Sequence, residues 1–471
     1  MSFLSLHFLL FLAALFVLTH SGFTRETRNN ILLAASYYFY MCWDWRFPVL
    51  VVVNTLANYY AARAIAASDD PRRRRLFLGL ALAASLGLLG YFKYANFFIE
   101  SFAALLRGLG LEADLPLLQV LLPVGISFFT FQSLSYTLDV YRRQQAPCTS
   151  LRDFALFVAW FPTVLSGPIT RARQILPQIQ DEGPADPDRI ESGLALMVRG
   201  FVKKVAFADV LALHLVNPAF SDPGAYSWWF LVLAVYAYTF QIYMDLSGYT
   251  DIARGASRLL GFELPTSFNR PYLAASVSNF WQRWHMTMSG FFRDYLFFSL
   301  GGSKRGNVYV NLMVTFIAIG MWHSAGWNFI VYGCIHGGVV AVERWGRNRR
   351  ERRGLPPLPE HGLQWLLRMA LVFNIVAFSR ILFRSPDLAG AWAYLEAIVA
   401  GAGRAAPLSA LGALALGLSF ALHYIPARFT DGLLESLRRR PVAHQAAGLV
   451  LVIYGLMTLS TGEATFVYFK F

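Results

Sequence analysis

The side chains best equipped for chemistry in this sequence cluster between Phe280 and His336. The stretch opens Phe280-Trp281-Gln282-Arg283-Trp284-His285 and passes through Arg293-Asp294-Tyr295 and Gly301-Gly302-Ser303-Lys304-Arg305. An apolar run follows and ends Gly320-Met321-Trp322-His323-Ser324-Ala325-Gly326-Trp327-Asn328. His336 lies in the next apolar run. Ionisable groups inside such runs are costly in a bilayer and are functional candidates by default. His323 leads them. An imidazole where an apolar run meets a small-residue break can stay neutral and accept a proton at ordinary pH. Trp322 and Trp327 would either wall off water or anchor helix ends at the membrane interface.

The neighbouring groups each carry two readings. His336 is followed by Gly337-Gly338 and reads as a packing histidine or as a second member of the site. His285, next to Arg283 and two tryptophans, reads as a further polar group, as part of a cationic shelf for an anionic donor, or as an interface anchor. Gly301 to Arg305 offers backbone N–H groups and two cations to a phosphate, yet it lacks the spacing of a phosphate loop and suits a cytoplasmic turn equally. Asp245, Asp251 and Arg254 read as an internal ion pair before they read as catalysts, because buried carboxylates need partners. No nucleophilic serine motif, Cys–His site or metal-ligand spacing stands out.

The elements that must position these groups are membrane helices. Of the 471 residues, 56% are hydrophobic and only 15% charged, and many windows of roughly 20 residues are nearly free of charge. The net charge of +13 sits in short loops between apolar runs, where membrane topology explains it better than nucleic-acid binding does. Cys42, Cys148 and Cys334 are too scattered for a metal site or a disulfide framework. Residues 3–20 lack the positive start and clean cleavage site of a signal peptide and read as a retained helix.

Apolar segments fall near 3–20, 30–44, 47–66, 76–99, 116–140, 152–168, 196–217, 226–246, 307–322, 327–343, 364–383, 407–425 and 442–460, with a weaker one at 388–402 that suits the interface. The fold class is therefore all-α: one polytopic domain over 1–471 with about 11–13 transmembrane or re-entrant helices. It divides into peripheral N-terminal helices (1–141), a catalytic core (about 142–345) and C-terminal helices (364–471). Arg25 and Arg28, Arg72 to Arg75, Arg142-Arg143, Arg344 to Arg353 and Arg438 to Arg440 should face the cytoplasm. The loop Leu109 to Leu115, with Glu112 and Asp114, should face outward. Between about 142 and 305 the chain is rich in Pro, Gly and charge, and is expected to form re-entrant or tilted helices around a cavity. Residues 284–298 place Trp284, Met288, Phe291, Phe292, Tyr295 and Phe298 at helical spacing, an amphipathic helix at the interface or over a cavity.

Taken together, Tyr91-Phe92-Lys93-Tyr94-Ala95-Asn96, Pro123-Val124-Gly125-Ile126-Ser127-Phe128, Ser135 to Arg142, Gly167-Pro168, Asp245 to Tyr249, Phe280 to His285, Arg293-Asp294-Tyr295, Gly301-Gly302, Trp322-His323 and the terminal Phe466 to Phe471 resemble the membrane-bound O-acyltransferase family. The likeness is greatest to its bacterial polysaccharide-acetylating branch, of the alginate type. The resemblance implies an enzyme of the bacterial inner membrane that takes acetyl from cytoplasmic acetyl-CoA and passes it outward through a central tunnel. The family's near-invariant histidine falls on His323. Eukaryotic relatives carry a catalytic Asn at the place of His285, and Gln282 replaces the usual first Arg of its motif.

The expected site therefore has His323 as base, His285 and His336 as secondary members, and Arg283, Trp284, Lys304, Arg305 and Trp322 as substrate-binding side chains, with no metal and no bound cofactor. The expected partners are acetyl-CoA as donor, a periplasmic acetyltransferase of the Ser-His-Asp type, a polysaccharide acceptor (alginate, peptidoglycan or cellulose) and membrane lipid. The alternatives are a transporter or flippase for an activated sugar or acyl carrier, and a scaffold of an exopolysaccharide secretion complex.

Overall fold

Runs of apolar residues broken by Pro, Gly and Arg clusters become helices, because within a bilayer the backbone must satisfy its own hydrogen bonds. In the computed structural model, residues 1–459 are described apart from 112–113, 182–185, 402, 404–407, 427–428, 430–435 and 437–439. Every regular element among them is helical. Glu112, Arg438, Arg439 and the terminal Phe466 to Phe471 lie outside the described residues.

The N-terminal group comprises α1 (Leu6–Thr19), α2 (Arg25–Met41), α3 (Phe47–Ala66), α4 (Pro71–Leu89), α5 (Ala95–Gly108) and α6 (Ile126–Tyr141). A π-helical turn, Gly90–Tyr94, joins α4 to α5 into one 38-residue rod. The expected alternation of crossings is visible in a single side chain. Buried Arg74, near the start of α4, donates to the carbonyls of Ile65 at the end of α3 and Tyr141 at the end of α6. Those three ends therefore share one face. Segment 116–140 is helical only from Ile126, where Gly125 adopts φ 80°. A Cβ at that glycine would stand 2.1 Å from the Val164 carbonyl oxygen, so the turn needs glycine both for its backbone angle and for its neighbour.

The central group comprises α7 (Leu151–Ala159), α8 (Phe161–Val164), α9 (Ala172–Gln180), α10 (Pro187–Phe201), α11 (Asn217–Ser221), α12 (Trp228–Leu259), α13 (Val277–Trp281), α14 (Met286–Phe291), α15 (Val308–His323) and α16 (Trp327–Arg352). The C-terminal helices are α17 (Gly362–Arg384), α18 (Leu388–Ala400), α19 (Ala410–Tyr424) and α20 (Val442–Leu459). Among the described residues, four helical stretches are long and apolar enough to cross a membrane: α3, the α4–α5 rod, α12 and α17. Shorter apolar helices include α1, α15, α18 and α19.

Two further sequence expectations need correction. The apolar segment 226–246 does not end there: α12 runs 32 residues through Asp245, Gly248 and Asp251. Its polar residues are absorbed by α10 and the π-helical stretch Val202–Asp209 that continues it. Lys204 pairs with Asp245 at 2.6 Å and Asp209 at 2.8 Å, while Asp251 takes Arg199 at 2.7 Å and Lys203 at 2.6 Å. Arg254 pairs with Glu263 instead. The glycines serve close approach rather than irregular backbone. A Cβ on Gly200 would meet the Gly248 carbonyl oxygen at 2.6 Å, and one on Gly255 would meet that of Gly193 at 2.5 Å. Two glycines seven residues apart on each helix thus form an antiparallel seam.

The second correction concerns 284–298. Helix begins only at Met286, continues as a π-helical turn Phe292–Phe297, and buries Met288, Phe291, Phe292 and Tyr295 but not Phe298. Tyr295 explains the Arg293-Asp294-Tyr295 motif. Its hydroxyl donates to Asp139 and accepts from Arg171, and the guanidinium groups of Arg171 and Arg142 lie 4.8 and 5.2 Å from its ring centre. Arg171 also holds Asp294 at 2.6 Å. The motif fastens this helix to α6.

Candidate active site

His323 is the last residue of α15, and the helix ends because Ser324 and Gly326 turn the chain into extended backbone before α16 begins. The last carbonyls of a helix have no partner within it. Here they are met from the α4–α5 rod: Lys93 Nζ donates to the carbonyls of Trp322 (2.6 Å) and His323 (3.1 Å), and the Tyr94 hydroxyl to that of Met321 (2.9 Å). A cation at a helix C-terminus also opposes the negative end of the helix dipole. The His323 imidazole is buried among Trp322 (4.9 Å between ring centres), Phe383 of α17 (4.9 Å) and Tyr332 of α16 (6.3 Å).

The two tryptophans beside it divide the two roles foreseen for them. Trp322 is buried against Phe128 and Phe131 of α6 and lines the site. Trp327 is exposed, packs on Phe97 and donates to Ser101, as an interface anchor does. His285 also packs on Trp322, 5.7 Å away centre to centre and edge-on. His285 caps α14 in the left-handed region at φ 42°, ψ 54°, which for a non-glycine residue stores about 1–3 kcal/mol. The surrounding chain imposes it. Met286 N–H bonds the Ser267 carbonyl, Asn269 N–H bonds that of Arg283, and Glu343 of α16 accepts from the N–H groups of Val277 and Ser278 at the head of α13.

His336 belongs to the frame around this pair. The Trp281 indole N–H, which can only donate, points to His336 Nδ1 at 3.2 Å. The ring proton therefore sits on Nε2 and is donated to Ser379 Oγ at 3.0 Å, whose own proton goes to the Val376 carbonyl. Both ring nitrogens are thus engaged in tying α13 and α16 to α17. Asn328 adds a second tie by donating to the carbonyls of Leu382 and Ser385 at the end of α17.

The cations expected to bind substrate are not gathered here. Arg283 is held by Asn279 and the Asn269 carbonyl. Lys304 and Arg305 are exposed before the start of α15, at the other end of a 16-residue helix that spans about 24 Å at 1.5 Å per residue. The backbone N–H groups of Gly301 and Gly302 bond the carbonyls of Phe298 and Phe297, and those of Lys304 and Arg305 bond that of Gly301, so a phosphate would find side chains there rather than a cradle of these N–H groups. Trp284 is in the site, but its face is covered by Arg380 of α17, 4.2 Å above the ring. Lys93 and Arg380 are the two site residues that sequence reasoning passed over. Each is a cation inside an apolar run, the signal that marked His323. Among the described residues no group of three metal-ligating side chains forms.

Comparison with known proteins shows the family. The model of the membrane-bound O-acyltransferase family matches residues 126–373, from the start of α6 into α17. A probable alginate O-acetylase of Pseudomonas putida is 38% identical over 77% of this chain and 72% of its own length. A peptidoglycan O-acetyltransferase of Helicobacter pylori is 33% identical over 78% and 73%, and a teichoic acid D-alanyltransferase of Streptococcus thermophilus 29% over 55% and 68%. With its helical membrane architecture and a match over most of its length, this multi-pass chain belongs to the membrane-bound O-acyltransferase family and is an acyltransferase.

Proposed function

We propose that this enzyme moves acetyl from cytoplasmic acetyl-CoA across the bacterial inner membrane for O-acetylation of an extracytoplasmic polysaccharide, with His323 as general base. The observation that carries the reading is the buried imidazole at the end of α15, its helix end fixed by Lys93 and Tyr94. The acceptor hydroxyl oxygen attacks the thioester carbonyl carbon while His323 takes its proton. The tetrahedral intermediate then expels the CoA thiolate, which recovers that proton. Base assistance of this kind is worth roughly 10²- to 10⁴-fold. The relatives named for alginate and peptidoglycan acetylation favour acetyl as the group and a cell-envelope polymer as the destination. The immediate acceptor is a hydroxyl on the outer side, either of the polymer itself or of a periplasmic Ser-His-Asp acetyltransferase that completes the delivery.

The reading is tested with purified enzyme in proteoliposomes, labelled acetyl-CoA on one side and the periplasmic partner on the other. Acetyl on the partner's serine supports it. Movement of sugar or carrier with no acetyl transfer would identify a transporter, and neither activity a scaffold.

The separation of about 24 Å between the turn at Lys304 and the end of α15 suits a long donor whose charged nucleotide end lies at the cytoplasmic surface while its thioester reaches His323. Reversing the charge of Lys304 and Arg305 together is expected to raise the apparent KM for acetyl-CoA several-fold with kcat kept, and an unchanged KM would remove them from the donor site. Lys93→Met removes the cap of the catalytic helix, and misplacement of a reacting group by about 1 Å costs up to a hundredfold. Its kcat should fall within that range, with Lys93→Arg recovering part of the loss. Wild-type turnover in Lys93→Met would show that α15 holds His323 without help.

A further inference from the structure

Acyl transfer needs a donor for the negative charge that develops on the thioester oxygen, and neither His323 nor His285 accounts for one. Resting on the acetyl-transfer reading above, we propose that Arg380 is that group: a catalytic residue whose guanidinium holds the oxyanion of the tetrahedral intermediate. Arg380 lies past the end of the region matched by the family model and is among the largest fully buried side chains of the protein. A guanidinium stays charged in any protein environment, and burying it is costly unless an anion compensates.

None of the ion pairs found among the described residues involves it. Its NH1 donates to the Thr239 carbonyl at 3.1 Å, an oxygen that already accepts from Tyr272. It also reaches the Tyr272 hydroxyl, and its guanidinium lies over the rings of Trp284 at 4.2 Å and Tyr272 at 5.7 Å. Those contacts use part of a donor set that offers five N–H groups in one plane.

Its position suits the task. Phe383, one helical turn further along the same face of α17, packs on the His323 ring. Ser379, the preceding residue, holds His336. Trp284 beneath the guanidinium is bonded through the chain to His285. Arg380 is close enough to His323, His336 and Tyr332 for its charge to act on each. When the acceptor oxygen adds to the thioester carbon, the carbonyl π pair moves onto oxygen beside a cation already in place. When the C–S bond breaks, that pair re-forms the carbonyl and the charge leaves on sulfur. The buried positive charge is then compensated in the transition state and left exposed to its burial cost in the ground state, which is the differential binding that accelerates a reaction.

The test compares wild type, Arg380→Gln and Arg380→Lys, as full-length enzyme in proteoliposomes, for turnover and for binding of two CoA-linked probes. One is a phosphonate that mimics the tetrahedral intermediate. The other is a thioether that cannot react. Expected for Arg380→Gln is a loss of about 100-fold or more in kcat with little change in KM. Phosphonate affinity should fall by a comparable factor while thioether affinity is kept, and Arg380→Lys should recover part of both losses. Equal loss of affinity for the two probes, or a raised KM with kcat kept, would make Arg380 a ground-state binding residue and overturn the proposal. Wild-type turnover and discrimination in Arg380→Gln would overturn it too. Should Arg380→Gln fail to fold, Arg380→Lys carries the comparison alone, with full discrimination between the probes as the overturning result. A wild-type enzyme that transfers no acetyl at all defeats the functional reading itself and is read from the control.

Discussion

Replacing His323 with Gln is expected to lower acetyl transfer by roughly 10²- to 10⁴-fold, the range that a positioned general base contributes, while the protein still inserts and folds. The substitution forfeits the ring's contacts to Trp322, Tyr332 and Phe383, each worth about 0.5–1.5 kcal/mol beyond its area, and the cost is confined to these side-chain contacts. The helix end itself is capped through backbone carbonyls that the substitution leaves in place. The loss should therefore fall on kcat rather than on the amount of extractable enzyme. The companion change His285→Gln discriminates between the two imidazoles that pack on Trp322. If His323 is the base, His285→Gln retains much more turnover than His323→Gln. If the order is reversed, the base is His285 and the strained φ 42° backbone serves to aim it. The measurement is the initial rate of labelled acetyl transfer per mole of folded enzyme, with thermal unfolding of the detergent-solubilised protein recorded beside it.

Hydropathy and the basic loops were enough to place most helices and the alternation of the first crossings, because a bilayer leaves few other solutions for an apolar run. What they hid was pairing across the chain. Asp245, Gly248 and Asp251 looked like a break in α12, since one strand of sequence does not show that Lys203, Lys204 and Gly200 stand opposite them. His336 carried two equal readings until Trp281 and Ser379 were seen at its two nitrogens. Lys93 and Arg380 obey the same rule that singled out His323, that an ionisable group in an apolar run has a reason to be there. The turn Gly301 to Arg305 is the reverse case: its composition suits phosphate or a plain turn equally, and the N–H groups of Gly301, Gly302, Lys304 and Arg305 are taken by carbonyls of Phe297, Phe298 and Gly301. Residue type announces the capacity for chemistry, and only the partners three-dimensionally opposite decide whether that capacity is spent on structure.

The glycine seam between α15 and α16 should be the most sensitive part of the scaffold. A Cβ built on Gly320 would lie 2.1 Å from the Phe329 carbonyl oxygen, and one on Gly333 would lie 2.5 Å from that of Phe316. The obstructing atoms are backbone, so no rotamer change relieves the clash and the two helices must move apart. Overpacking of this kind costs about 1–3 kcal/mol or more. Gly320 is also one residue short of a full turn before His323, so the same displacement shifts the imidazole relative to Trp322, Phe383 and the Lys93 cap. Gly320→Ala is therefore expected to lower the thermal midpoint and to cut acetyl transfer by about a hundredfold, with Gly320→Val below detection. Gly338→Ala, on the same pair of helices but with nothing within 4 Å of the added methyl, should leave both unchanged or slightly raise stability, as alanine favours helix over glycine by about 1 kcal/mol. Near-wild-type turnover in Gly320→Ala would mean that the hairpin can open without moving His323, and the link between helix packing and catalysis drawn from these distances would not hold.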